Sequence, residues 1–186
     1  TGIKTDVNFD TGMGTIGLGI GQDSAVDSYD SNPGCFSLVN CWNVAMSGKD
    51  GSSGAYSDGD AESGNSIAYS NSMGGVSFKV TRGMESATYE PTMSYAAKTS
   101  IMGASIAAGV SQIDYNSAAT TDKDPSFVTV GYSIAGLNLG YAMYDADNGS
   151  EETTMGVGTS VAGFDVGVQF AERDFTTDID YMRVSV

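Results

Sequence analysis

Histidine, leucine and positive charge are scarce in this sequence, and each shortage excludes a class of protein. The chain of 186 residues has no histidine, so it cannot build a Ser–His–Asp or Cys–His catalytic arrangement. Carboxylates are abundant, but no pattern places a catalytic pair of them in a shielded cleft. Only 8 Lys and Arg stand against 23 Asp and Glu, and no basic patch exists to meet nucleic-acid phosphates. The sequence therefore predicts neither an enzyme nor a nucleic-acid-binding protein.

Long apolar runs are also missing. Leucine occurs only at Leu18, Leu38, Leu137 and Leu139, which is too little for a packed helical core. No run approaches the roughly 18 apolar residues of a transmembrane helix. The first residues do not look like a secretory signal, so an exported protein would have lost it or carry it upstream.

Alternation of apolar with small or polar residues fills most of the chain instead. Residues 127–134 and 164–171 are clear cases, because every second side chain is Val, Ile, Tyr or Phe. Since neighbouring strand residues face opposite sides, each such strand has one apolar and one polar face. The predicted strands are residues 2–10, 15–22, 65–71, 76–82, 88–98, 103–113, 127–134, 137–145, 153–161, 164–172 and 178–186.

The connections between these strands alternate between short and long. Short turns are predicted at 11–14, 72–75, 99–103, 135–136 and 162–163, and longer polar segments at about 23–64, 83–88, 114–126, 145–152 and 172–178. A membrane barrel with turns at one rim and loops at the other requires this order, whereas a soluble β-sandwich does not. We therefore predict an all-β, transmembrane, antiparallel up-and-down β-barrel as one domain over 1–186. A soluble all-β protein is the alternative.

The predicted strand number is odd, although single-chain bacterial barrels have an even number. An unpaired sheet edge would leave backbone groups without partners in lipid. The expectation is that at least one further strand precedes Thr1.

Three segments resemble the general porins of Gram-negative bacteria, particularly those of alphaproteobacteria. Residues 15–22 followed by 23–27 resemble the strand that leads into the long third loop of a porin, and 65–69 with 74–78 resemble the hairpin after it. Residues 65–186 share the porin order of strand, turn, strand and loop. Porins usually end in an aromatic residue, whereas this chain ends in Val186. The resemblance implies that N-terminal strands and a few C-terminal residues are missing, and that the intact barrel has about fourteen to sixteen strands. It also implies a trimer in the lipid and lipopolysaccharide of an outer membrane, through which small hydrophilic solutes diffuse.

The segment 23–64 is the candidate constriction loop. It is strongly acidic, with one lysine, and it also holds an apolar cluster and the only tryptophan, Trp42. Folded against the barrel wall, its carboxylates would line the narrowest passage and favour cations. The alternative is a solvated outer loop without a role in selectivity. The candidate constriction residues are Asp23, Asp27, Asp30, Asp50, Asp58, Asp60 and Glu62.

Opposite charge is expected across the passage, on the pore wall. The basic residues at positions that face the predicted lumen are Lys4, Lys79, Lys98, Arg173 and Arg183. Each of them has an alternative interpretation as a rim residue or as part of an interior ion pair.

The two cysteines, Cys35 and Cys41, lie within the same acidic segment. Their spacing does not match a zinc site, so we predict a local disulfide, with two unpaired thiols as the alternative. Asp58, Asp60 and Glu62 present carboxylates at alternate positions and are a candidate Ca²⁺ site, although the spacing is not that of an EF-hand. No other cofactor is expected.

Aromatic residues near strand ends, including Phe9, Phe127 and Tyr144, are predicted to form girdles at the membrane interfaces. The combined prediction is a weakly cation-selective diffusion channel. Two alternatives remain: a substrate-specific outer-membrane channel, and a surface or adhesive β-protein that conducts nothing.

Overall fold

A computed structural model describes residues 5–20, 24–26, 28–29, 65–85, 90–147, 151–174 and 179–185. The described part consists of β-strands joined by turns and loops. The strands are β1 Thr5–Asp10, β2 Thr15–Ile20, β3 Asn65–Met73, β4 Val76–Gly83, β5 Met93–Ile101, β6 Ala104–Gln112, β7 Ser126–Ile134, β8 Leu137–Asp145, β9 Glu151–Val161, β10 Phe164–Asp174 and β11 Ile179–Ser185.

These strands form one antiparallel up-and-down sheet in which the strand order is the chain order. The described strands contain no pairing between β1 and β11, so the sheet is not closed. No described helix is long and apolar enough to span a membrane. The predicted all-β, up-and-down fold is confirmed, and each predicted strand coincides with an observed one.

The largest difference in strand boundaries is at β5, which was predicted to begin at residue 88 and begins at Met93. Pro91 lies just before it and has no N–H to donate to a neighbouring strand. The first bond on this side is instead made by the Thr92 carbonyl, which accepts from the Gly83 N–H at 3.1 Å.

The chain divides into two compact units, and each has one apolar and one polar face. The first unit comprises Thr1–Asp30, Asp58–Thr99 and Ala107–Ser126; the second comprises Ser31–Ser57, Ser100–Ile106 and Phe127–Val186. In the second unit, Leu139, Val157, Val168 and Val184 lie opposite one another across β8 to β11. A second apolar row follows two residues along each strand: Tyr141, Met155, Phe170 and Met182.

This apolar face is exposed. Leu139 is 40 % exposed, Val157 37 % and Phe170 49 %. In water a contiguous apolar surface of this kind is unfavourable, at about 25 cal/mol for each Å².

The polar face of the second unit consists of small and polar residues. Gly140, Gly156 and Gln169 form one row, and in the next row Thr154 lies between Ala142 and Ala171 and is 0 % exposed.

The first unit repeats the pattern. Its apolar face carries the row Phe9, Ile16, Tyr69, Val80 and Tyr95 across β1 to β5. The matching row on the polar face is Asn8, Gly17, Ala68, Thr81 and Ser94. The period-2 interpretation of the sequence therefore assigns the two faces correctly in both units.

Two of the predicted girdle aromatics are placed differently. Phe127 and Tyr144 are each 2 % exposed and belong to the polar face, where their rings stack with centroids 6.4 Å apart. The prediction that they contribute to an interface girdle is wrong, because their parity along β7 and β8 turns them away from the apolar face. Phe9 lies on the apolar face and is 51 % exposed, as its predicted role requires.

Tight turns set the register of four hairpins. Each has two consecutive residues with positive φ, as in Ala135 (51°) and Gly136 (82°) or Ala162 (53°) and Gly163 (87°). This is the type I′ geometry, whose twist matches that of the flanking strands. Alanine in the first position is strained, since its Cβ disfavours the left-handed region. The Thr159 hydroxyl donates to the Gly136 carbonyl at 2.8 Å and helps to hold one of these turns.

We predict that Ala135→Asn stabilises the protein by about 0.5–1 kcal/mol, because Asn tolerates the left-handed region better than Ala does. Gly136→Ala should destabilise it by about 1 kcal/mol through backbone strain alone, since no heavy atom lies within 4 Å of the added Cβ. The measurement is the free energy of unfolding in urea, with the protein folded in detergent micelles. Ala118→Asn is the control, because Ala118 is exposed in a loop and has no positive φ. A loss of stability in Ala135→Asn, or an equal gain in the control, would contradict the turn geometry.

Candidate functional site

The polar face of the first unit leaves room for other chain segments to approach it. The row that crosses it includes Gly17, Ala68, Thr81 and Ser94, none of which is larger than threonine. Short side chains let a neighbouring backbone come within hydrogen-bonding distance of the sheet. They also keep this face hydrophilic, because hydroxyl groups alternate along it with glycine and alanine.

The described residues that follow β2 pack against this face as a single helical turn. The Ser28 N–H donates to the Ser24 carbonyl at 3.2 Å, and the Tyr29 N–H donates to the Val26 carbonyl at 2.9 Å. Ser24, Ala25 and Val26 are fully buried. The Ala25 N–H donates to Ser94 Oγ on β5 at 2.8 Å, which satisfies a backbone donor that would otherwise be buried without a partner.

A second contact joins this turn to β4. Lys79 Nζ donates to Ser28 Oγ at 2.8 Å, and the Ser28 hydroxyl in turn donates to the Ser24 carbonyl at 2.8 Å. A lysine is therefore part of the polar face, between the apolar neighbours Phe78 and Val80. Its Ser28 contact links the turn to the strand.

Tyr29, at the end of the turn, borders a cavity of about 440 Å³. The cavity lies toward the short-turn ends of the strands, because Ser72 and Ser77 flank the Gly74–Gly75 turn. Partial burial raises the pKa of the Tyr29 phenol above its usual value, so the hydroxyl stays protonated at neutral pH. The lining residues are Gly14, Thr15, Tyr29, Ser70, Asn71, Ser72, Ser77 and Lys98.

The polar face of the second unit carries a buried acid. Glu152 is 3 % exposed and lies on β9 opposite Tyr144 of β8 and Arg173 of β10. Gln169 lies on the same strand as Arg173, β10, and is opposite Arg183 of β11. The register therefore places an acidic, an amide and two basic positions on one face, among glycine, alanine and threonine.

The structure places four of the five predicted wall cations at polar-face positions: Lys79 and Lys98 in the first unit, and Arg173 and Arg183, by register, in the second. Lys79 and Lys98 are close in register, since Lys79 lies opposite Ala96 and Lys98 is two residues further along β5. The remaining predicted positions lie outside the described residues: Lys4, Asp23, Asp27, Asp30, Cys35, Cys41, Asp50, Asp58, Asp60 and Glu62.

Ser94, Ser28 and Tyr29 were not predicted as site residues. Ser94 had a usable signal, because its parity along β5 assigns it to the polar face. Ser28 and Tyr29 had none, since they lie in a segment without alternation, and the strand residue that Ser28 contacts, Lys79, is 51 residues further along the chain. Within the described ranges, no three acidic, Cys or His side chains are arranged to hold a metal ion. The candidate Ca²⁺ site at Asp58, Asp60 and Glu62 therefore stays a prediction.

The described strands thus form an antiparallel up-and-down sheet with an exposed apolar face, and the turn after β2 packs on the polar face of the first unit. No protein-family model and no curated protein matches the sequence. Among solved structures, the chain is similar to mutants of Rh. blastica porin. A triple mutant with two introduced tryptophans has a TM-score of 0.66 and 18 % identity, covering 96 % of this chain and 64 % of that one. A double mutant gives the same values.

A further Rh. blastica porin mutant, with two basic and two acidic residues replaced by alanine, has a TM-score of 0.60 and 19 % identity over 92 % of this chain. At this level of identity the similarity shows the fold. The chain spans less than two thirds of the length of these porins, 61–64 %.

We predict that Ser94→Ala destabilises the protein by about 1–3 kcal/mol, because the buried Ala25 N–H loses its acceptor. The matched control is Ser111→Ala. The Ser111 hydroxyl is also buried on a strand of the first unit, but it has no hydrogen-bond partner among the described residues. Its removal should be neutral or stabilising. Both variants are compared by urea unfolding in micelles. Equal effects of the two substitutions would show that the Ala25–Ser94 bond does not hold the turn.

Proposed function

We propose that the chain forms part of the wall of an outer-membrane porin, a passive diffusion channel for small hydrophilic solutes. The observation that carries this proposal is the arrangement of the two faces. The row that contains Leu139, Val157 and Val184 is exposed, as a surface in contact with hydrocarbon is, while the opposite face is polar and built from small residues. The similarity of the fold to Rh. blastica porin supports it.

Weak cation selectivity is the second part of the proposal. The turn Ser24–Tyr29 begins the acidic segment 23–64 and packs on the polar face through Ser94 and Lys79. Asp23, Asp27 and Asp30 flank the described residues of this turn in the sequence. In the proposed channel their carboxylates meet the water-filled passage and attract cations, while Lys79 and Lys98 supply opposite charge on the wall.

The surroundings follow from the same proposal. The protein would lie in a Gram-negative outer membrane, in contact with lipid and lipopolysaccharide, and assemble as a homotrimer in which each subunit has its own pore. It would need no energy source and catalyse no reaction. A disulfide between Cys35 and Cys41 would close a small loop within the acidic segment.

The first test of the proposal is conductance in planar lipid bilayers. We expect ohmic single-channel conductance steps in KCl. Under a KCl gradient, the reversal potential should have the sign expected when K⁺ is more permeant than Cl⁻. The protein used should be isolated from its native membrane. Repeated failure to observe any step from folded protein in bilayers would contradict the channel function.

Selectivity is tested by replacing the three acids around the turn. Asp23→Asn, Asp27→Asn and Asp30→Asn together should lower the cation-to-anion permeability ratio toward that of a neutral pore. The matched control neutralises three exposed acids elsewhere: Glu85→Gln, Glu90→Gln and Asp114→Asn. These acids lie outside the segment 23–64, and at about 0.1 M salt charges more than roughly 10 Å from the passage are largely screened, so the ratio should stay near that of the unmodified channel. An unchanged ratio in the first variant would place these acids outside the constriction.

A further inference from the structure

The cavity beside Tyr29 is bordered by hydrogen-bond donors that no described residue engages. Among the described residues, neither the Tyr29 hydroxyl, the Ser70 hydroxyl nor the Lys98 ammonium group has a hydrogen-bond or ion-pair partner. Ser72 and Ser77 are paired with each other, Oγ to Oγ, at 2.7 Å. Three free donors from β3, β5 and the packed turn thus border one space of about 440 Å³.

The charge of this cavity is unusual for the chain. The net charge of the whole sequence is −15, yet among the described residues that line the cavity Lys98 is the only charged one. Lys79 adds a second positive charge nearby on the same face. The acid nearest in register is Asp10, opposite Thr15, and its Oδ1 already accepts the Gly12 N–H at 2.8 Å. The site is therefore suited to an acceptor with negative charge.

The number of charges indicates which anion would fit. Lys98 carries the one ammonium group among the described residues that border the cavity, so an anion with a single negative charge matches it. The Tyr29 phenol remains a neutral donor at neutral pH, since burial raises its pKa. The serine and threonine hydroxyls around these two groups both donate and accept, and so they match hydroxyl groups on a solute.

We propose that this cavity is a solute subsite of the channel for small polyhydroxylated monocarboxylates, that is, sugar acids. The carboxylate would bind Lys98 Nζ and the Tyr29 hydroxyl, and the hydroxyl groups of the solute would bind Ser70, Ser77 and Thr15. This inference rests on the proposed channel function and adds the class of solute that the wall retains. A solute bound at the end of the packed turn obstructs the passage in proportion to its occupancy.

The probe is gluconate, compared with sorbitol, which has a similar length but no charge, and with glucosamine, which is a cation. We expect gluconate to reduce the KCl conductance in a saturable manner, with sorbitol and glucosamine much weaker. Lys98→Met should raise the half-blocking gluconate concentration about tenfold or more, because it removes a charge-assisted hydrogen bond. Lys98→Arg should retain most of the block. Tyr29→Phe should weaken it by about three- to tenfold.

The control is Lys123→Met, which removes one positive charge from the β6–β7 loop and should leave the gluconate block unchanged. Gluconate binding is measured in parallel by calorimetry on the folded, detergent-solubilised protein, so that the subsite is tested even if no current flows. Binding that depends on Lys98 without any conductance would support the subsite and contradict the channel. Equal effects of gluconate and sorbitol, or an unchanged block in Lys98→Met, would overturn the subsite while leaving a conducting channel in place.

Discussion

The structure depends on one constraint, which is that every backbone N–H and C=O between the short turns and the loops must be paired within the sheet. Antiparallel neighbours in chain order meet this constraint with the simplest connections, and tight turns such as Ala135–Gly136 keep the register. Where no water reaches the backbone, an unpaired group costs several kcal/mol, and only helices and sheets without open edges avoid that cost. In the proposed channel, the exposed rows around Leu139 and Val157 would face such surroundings.

Small residues on the opposite face have a direct structural consequence. Because Gly17, Ala68 and Thr81 project so little, the turn Ser24–Tyr29 can approach closely enough for its backbone to bond Ser94. The same lack of bulk leaves the cavity that Tyr29, Ser70 and Lys98 border. A polar face made of large side chains would close both spaces. The residues that keep this face hydrophilic are thus also those that make room for a functional segment.

Much of the fold could be predicted from the sequence, and the reason is local. Period-2 alternation gives β8 its bounds at Leu137 and Asp145, and the X–Gly pairs give the turns, since both signals lie within a few neighbouring residues. The same parity correctly placed Lys79 and Lys98 on the polar face. The same parity assigns Phe127 and Tyr144 to that face, against the general expectation that aromatic residues near strand ends form interface girdles.

The candidate site was harder to predict, because its contacts join distant parts of the chain. Ala25 and Ser94 are 69 residues apart, and no repeat or spacing in the segment after β2 indicates where it packs. The cavity is likewise formed by β2 to β5 together with Tyr29, so no single segment carries a signature of it. The acidic composition of 23–64 indicates a function, but composition does not determine which strand a turn contacts.

The central claim is that the apolar face contacts hydrocarbon while the polar face contacts water, and two adjacent residues of β8 test it most directly. Leu139 lies on the apolar face and Asn138 on the polar face, at nearly the same depth. Leu139→Trp and Asn138→Trp, each made with Trp42→Phe, would be reconstituted in vesicles containing lipids brominated on the acyl chains. We predict that bromine quenches the fluorescence of the Leu139→Trp variant, and that aqueous acrylamide quenches the Asn138→Trp variant. Equal quenching of both variants by acrylamide, with no effect of bromine on either, would contradict the claim.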